Sequence, residues 1–333
     1  MSNKQFWAWG INEKGQIGVG DTESVWDAPY QPTEITGQTF AKICATGSYH
    51  CFGIRADGTL YGWGSNRNGQ LGLGDIVDRY EPTLIGSDTW LDMACGDDHT
   101  IGIKSDGTLW AAGEDMDGGS DALTFLQVDA GSWTAVAVYG TYLAGTMARK
   151  ADGSVWEVSS TGLTQISSAN SKKLCNNYVI AQDDTLWMVS GGALVLSDSG
   201  SWLTVSHTQQ HALGIKSDGT LWGRGENGYG QLGLGDSTDR AAWTQIDNGE
   251  WSEIAAGWRH SIATKADGSL YAWGSNWYSQ LGFERGTYPD IYLTPTRVID
   301  LMAESLAASQ YTSYGAIINN TFWTNFNQQT ETV

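Results

Sequence analysis

The residues of widest chemical scope in this chain are its histidines. Imidazole titrates near neutral pH, so a histidine can act as a general base, pass a proton or ligate zinc. Four of the five, His50, His99, His211 and His260, share one spacing. Each stands seven residues before an aspartate: Asp57, Asp106, Asp218 and Asp267. A catalytic or metal centre needs different groups converging on one point. A spacing that recurs instead places one residue type in several equivalent units. The expectation is a structural histidine in each unit, bonded locally, with no common metal. His207 lies outside that register. The cysteines Cys44, Cys51, Cys95 and Cys175 form no Cys-x-x-Cys pair and are expected as reduced, buried thiols. Gly-x-Gly-Asp occurs at Gly18–Asp21, Gly72–Asp75 and Gly233–Asp236. No helical pattern follows these loops and the nine-residue calcium period is missing, so neither a phosphate cradle nor a calcium repeat is expected. No nucleophile, base and orienting group stand together. These residues argue for no enzyme and no cofactor.

The elements that position these residues repeat along the whole chain. Asp57-Gly58-Thr59-Leu60-Tyr61 returns at Asp106 to Trp110, Asp152 to Trp156, Asp218 to Trp222 and Asp267 to Tyr271. Weaker copies begin at Asp183 and Asn319, and Phe6-Trp7 is a truncated one. The strand aromatics stand at 7, 61, 110, 156, 187, 222, 271 and 323, which makes eight anchors and seven intervals. Asp-Gly between apolar runs is a hairpin signal, and a type I′ turn with positive φ at both residues is expected. A second aromatic, Trp90, Trp133, Trp202 or Trp251, lies nine residues before the histidine position. Each unit thus predicts an aromatic strand, a small-residue bend, a second strand, an Asp-Gly turn and a third, aromatic strand. Such units are all β and stack neighbour on neighbour, giving a single domain over 1–333.

Composition agrees. Glycine is abundant at 43 residues, and no apolar run is long enough to cross a membrane. The first residues carry no apolar signal segment. With 37 acidic against 18 basic residues the formal charge is −19, which disfavours nucleic acid as a partner.

Several units continue into a longer motif. Trp63-Gly64-Ser65-Asn66-Arg67-Asn68-Gly69-Gln70-Leu71-Gly72-Leu73-Gly74-Asp75 is the fullest copy. Related stretches run over Gly15–Asp21, Gly230–Asp236 and Trp273–Gly282. This motif resembles the regulator of chromosome condensation repeat, well over 6–110 and 211–323 and poorly over about 112–210. The resemblance implies a seven-bladed β-propeller with four-stranded antiparallel blades, a count the seven intervals also give. The opening strand Phe6–Trp9 and the closing Thr321–Thr324 predict that both ends share one blade and close the ring, with one aromatic strand to spare. The weak stretch predicts trimmed loops and missing outer strands.

Family functions can be weighed on the residues. Nucleotide exchange with nucleosome contact goes with basic segments that this chain lacks. Ultraviolet-B reception goes with repeated Gly-Trp-Arg-His-Thr, of which only Gly257-Trp258-Arg259-His260-Ser261 is similar. The expectation is a non-enzymatic scaffold for protein partners, specifically a bacteriophage virion component beside other virion proteins, made in the host cytoplasm and not secreted. A receptor-, glycan- or enzyme-inhibitor-binding propeller is the alternative. Candidate contact residues are aromatics and arginine that the repeat does not require: Trp258, Arg259, Trp277 and Tyr278, with Tyr229 and Trp243. Sister units place Ser48 or Asp97 opposite Trp258, and Arg67 and Asn68 opposite Trp277 and Tyr278. These are residue types enriched at binding hot spots.

Overall fold

The computed structural model describes residues 5–22, 32–45, 49–114, 120–139, 145–159, 162–168, 170–283, 286, 290–309 and 312–319. Every described regular element is a β-strand. The Asp-Gly turns set the hairpins. Gly58 is at φ 87° while Asp57 is not in the left-handed region. Gly58 N donates to Arg55 O at 2.9 Å, and Arg55 N to Thr59 O at 2.9 Å. This is a tight turn closed by one left-handed residue, with the geometry of a three-residue hairpin, and not the expected type I′ turn. The aspartate takes a different part: its carboxylate accepts the Thr59 N–H at 3.0 Å, an Asx turn. The same bond recurs at Asp106, Asp152, Asp183, Asp218 and Asp267. Where glycine is absent, Asp184 takes the left-handed place at φ 64°.

Successive strands pair antiparallel into three four-stranded sheets and two seven-stranded ones. The four-stranded sheets open at Trp133, Ser171 and Trp202. Each seven-stranded sheet contains one long strand, Arg79–Cys95 or Ile291–Ala308. In the second, Gln5–Gly10 lies beside Thr312–Asn319, with Phe6 opposite Ala316 and Trp9 opposite Ser313. Trp7 thereby fills the third-strand place of that sheet. The spare copy at 321–324 lies outside the described residues. Over the weak stretch the turns are short, from Ser159 to Gly162 and from Ser190 to Ala193. The outer strands Gly162–Ser167 and Ala193–Asp198 are nevertheless present, so trimming reached the loops and spared the strands.

The core lies between sheets. Trp9, Trp63, Trp133, Trp202 and Trp273 are almost wholly buried, as a repeat core of aromatics requires. The innermost strands surround a cavity of about 400 Å³, walled by seven short segments that include Lys42–Ala45, Met93–Asp97, Val205–Gln209 and Leu306–Ser309.

Candidate functional site

The histidines serve the joints between units. His50 Nε2 meets Thr100 Oγ1 at 2.9 Å, and Thr100 Oγ1 donates to Gln70 O at 2.8 Å. His211 meets Ser261, which donates to Gln231 O; His260 meets Ser313, which donates to Gln280 O. Each hydroxyl has one hydrogen and spends it on the glutamine carbonyl, so the histidine Nε2 must carry the donated proton. Indole joins the same carbonyl from Trp273 to Gln231 and from Trp9 to Gln280, each at 2.9 Å. At Gln16 the hydroxyl is that of Tyr314 and the indole that of Trp63. The clasps at Gln231 and Gln280 thus bind the loop of one unit to the second and third strands of the next. At Gln70 the second strand alone is joined, and at Gln16 Trp63 comes from the next unit while Tyr314 comes from the loop's own. Burial holds His50, His211 and His260 at a pKa of about 3, so they are neutral imidazoles at pH 7. All four cysteines are buried thiols, with Cys44 pushed up to about 11 by burial, far from a reactive thiolate. Ser261→Ala should cost about 1–3 kcal/mol, because it strips a buried partner from His211 and from Gln231. Denaturant unfolding measures this, and a change near zero would remove the clasp from the account.

Antiparallel strands alternate in direction. The bends before each histidine and the Gly-Gln-Leu-Gly loops therefore leave the sheets at one end, and the Asp-Gly turns at the other. The candidate residues fall on the loop end. Arg259 Cζ lies 4.3 Å over the Tyr229 ring and 4.1 Å over the Trp258 ring. Trp277 meets Tyr229 edge-on, centroids 5.5 Å apart. Three loops thus gather Tyr229, Trp258, Arg259 and Trp277 into one half-exposed cluster. Trp258 also lines the mouth of the central cavity, along with Asp97 and Tyr139. Tyr278 is half-buried and lies near Tyr49, whose pKa is raised by burial first and then by Glu13, Tyr278 and Asp97. Trp243 stands apart from the cluster. It packs against Trp202 at 4.6 Å and Tyr178 at 5.8 Å, and its indole N–H donates to Ser197 Oγ. An aromatic out of register was expected at a contact surface; here it fills the seam between two sheets.

One recurrent constellation escaped the sequence reading. Lys104, Lys150, Lys216 and Lys265 each lie between two aromatic rings, as at Trp202 and Trp222, 5.0 and 4.0 Å from Lys216 Nζ. The signal was present: a basic residue two places before five of the six turn aspartates, Arg55 included and Asp183 the exception. These cations brace the turn end through cation–π contact.

Comparison with known proteins follows this geometry. The family model for the regulator of chromosome condensation repeat matches residues 5–54, 57–103 and 218–264, and a second model of that repeat matches 40–70, 90–118 and 251–280. The ultraviolet-B receptor of Arabidopsis thaliana is 29% identical over 244 residues, which cover 70% of this chain and 51% of the receptor. The probable E3 ubiquitin-protein ligase HERC3 of Homo sapiens is 35% identical over 95 residues, 28% of this chain and 9% of the ligase. The RCC2 homolog of Xenopus laevis is 38% identical over 74 residues, 22% of this chain and 14% of that protein. The chain therefore spans about half the length of the receptor and far less of the other two. Among solved structures, yeast RCC1 (Prp20) bound to Kap60 superposes with a TM-score of 0.80 at 16% identity, covering 100% of this chain and 92% of that one. Human WBSCR16 gives 0.78 at 16% identity, covering 96% and 100%. At that identity the likeness shows the β-propeller fold alone. The relatives named here are cellular proteins, so the bacteriophage-type membership expected from the sequence gains no support from them.

Proposed function

We propose, from the premise that this chain belongs to the regulator of chromosome condensation repeat family, that it is a non-enzymatic scaffold that binds other proteins by its loop end. The observation that carries this is the Tyr229–Trp258–Arg259–Trp277 cluster. Sister units place small or polar residues at the positions of Trp258 and Trp277. The cluster stands on rigid sheets at the mouth of a cavity, the place where loop residues usually make contacts. Yeast Prp20 is bound by Kap60, and its binding to Gsp1p and histones has been studied, so protein binding has precedent on this fold. The histidines do not compete with this reading, because their Nε2 protons are committed to the clasps. The virion setting is not carried into the proposal, since the relatives named above do not favour it.

The scaffold is best understood as seven four-stranded blades. Each long strand then forms the fourth strand of one blade and the first of the next, so each seven-stranded sheet is two blades. Seven wall segments around the cavity fit that count. The pairing of Gln5–Gly10 with Thr312–Asn319 supports closure of the ring.

Trp258→Ala with Trp277→Ala tests the binding surface. Proteins captured by the unaltered chain should be lost from the variant and kept by Glu250→Gln at the opposite end, with the melting temperature of the variant within a few degrees of the parent. Retained capture, or loss matched by a collapsed melting temperature, would remove the loop end as the surface.

A further inference from the structure

The Gly-Gln-Leu-Gly loops do more than complete the clasp. Gly20 N donates to Tyr80 O at 2.9 Å, Gly74 N to Leu123 O at 2.7 Å and Gly235 N to Leu293 O at 2.9 Å. Leu73 also forms a β-bridge with Thr124. In each case the loop main chain of one unit, between two left-handed glycines, bonds the start of the fourth strand of the next. The glycines are what permit the approach: a Cβ on Gly69 would meet the Leu123 backbone, and one on Gly230 the Leu293 backbone.

Two fourth strands cannot receive such a loop. The preceding connection runs only from Ser159 to Gly162 ahead of Ala193–Asp198, and only from Ser190 to Ala193 ahead of Arg240–Asp247. The two strands differ in character. Arg240–Asp247 opens on an arginine paired with Asp236 and turns Trp243 inward. Ala193–Asp198 ends its sheet, is paired on one edge only, and carries no charge or proline before Asp198. Val195 and Leu196 point to opposite faces and are each 49% exposed. Outer strands normally blunt an open edge with lysine, proline or a covering loop. Here the covering loop is missing, and no charge or proline replaces it.

We propose that the open edge of residues 193–197 is a strand-addition site, which takes an extended, uncharged segment of a partner protein as one further strand of this sheet. The occupant is main chain because main chain is what bonds the fourth strands that do receive a loop, and it is extended because the unpaired edge of a strand is matched along its length only by another strand. It is uncharged because residues 193–197 offer apolar side chains on both faces and no charge of their own, and the cation beside them, Arg224, is turned to Ser197 Oγ at 3.4 Å. Main-chain hydrogen bonds supply the affinity and alternate side chains the selectivity. The site lies on the rim and shares no residue with the loop-end cluster, so it stands or falls independently of that cluster.

The probe is acetyl-Thr-Val-Thr-Val-Thr-Val-amide, titrated into the isotopically labelled full chain and followed by amide chemical shifts. The expected result is a set of shifts concentrated at 193–197. Methylating alternate peptide nitrogens keeps every side chain and removes donors, and should weaken binding about tenfold, the worth of one or two hydrogen bonds. Val195→Lys with Leu196→Lys should abolish binding at an unchanged melting temperature. Leu196→Thr should weaken it, and serves if the lysine pair fails to fold. No shifts, equal affinity of the methylated peptide, or shifts centred on Ala122–Asp129 would each overturn the proposal. So would a doubled molecular mass dispersed by the lysine pair, which would make the occupant a second copy of this chain.

Discussion

Between pH 7 and pH 5 this protein should lose most of its folding stability. His50, His211 and His260 have folded pKa values near 3 and His207 near 4, chiefly through burial, against about 6.5 for an unfolded histidine. The folded state therefore binds fewer protons than the unfolded state across this window. Stability is complete above the unfolded pKa and falls as the pH drops toward the folded one. At pH 5 each group costs about 2 kcal/mol, a figure set almost wholly by the unfolded pKa. Four groups cost roughly 8 kcal/mol, comparable with the whole stability of a typical domain. Protonation does not break the Nε2 bond. It places a second N–H on Nδ1, and for His50 and His260 that nitrogen is buried and meets no hydrogen-bond partner among the described residues. Falling net negative charge acts in the opposite direction, but most carboxylates titrate below this window. Urea unfolding at pH 7, 6 and 5 reads the effect directly. His211→Gln keeps a donor and removes one titration, and should flatten the slope by about one proton. An unfolding free energy that is level from pH 7 to pH 5 would contradict the buried neutral histidines.

Much of this architecture was legible because the repeat writes it several times over. The turn aspartates, the histidine register and the aromatic strands are local features, fixed within a dozen residues. What the histidines bond was not legible, because His211 and Ser261 are 50 residues apart and belong to different units. The type I′ expectation failed for a local reason: the left-handed place is taken by one glycine, and the aspartate instead accepts an amide from an ordinary conformation. The cation between two rings was written in the sequence as plainly as the histidine. It went unread because lysine before a turn looks like a solvated charge.

The candidate surface was half legible. That Trp258, Arg259 and Trp277 depart from the repeat is visible in register. That they meet depends on Tyr229, which comes from the loop of the preceding unit. Trp243 departs from the repeat as well, yet packs between sheets. Departure from a repeat marks a residue under a separate pressure, and packing over a trimmed neighbour is one such pressure. Trp243 packs on the strand that follows the short Ser190–Ala193 turn, and the equally short Ser159–Gly162 turn leaves Ala193–Asp198 uncovered.

Gly257→Ala should be among the most damaging single methyl additions in the molecule. Gly257 has an ordinary backbone, outside the left-handed region, so alanine there meets no torsional strain. The obstacle is steric: a Cβ would sit within the His260 imidazole. That ring cannot retreat, because its Nε2 is bonded to Ser313 Oγ at 2.9 Å and its neighbours fill the space around it. Gly96 stands in the same relation to His99; before His211 the place is taken by Thr208, whose Oγ1 lies 3.5 Å from the ring's Nδ1, so the glycine is the seat of the ring at His99 and His260. Overpacking plus loss of a buried hydrogen bond should cost about 2–4 kcal/mol. Gly37→Ala is the control. Its φ is +73° and nothing lies within 4 Å of the added Cβ, so it should cost only the roughly 1–2 kcal/mol of a left-handed alanine. Removing the ring as well, in Gly257→Ala with His260→Ala, should give less than the sum of the two single costs by about 1 kcal/mol or more, since the methyl then meets space. Strict additivity of the two changes, or a Gly257→Ala cost no larger than that of Gly37→Ala, would show that the ring is free to move and that the clasp does not hold the blades in register.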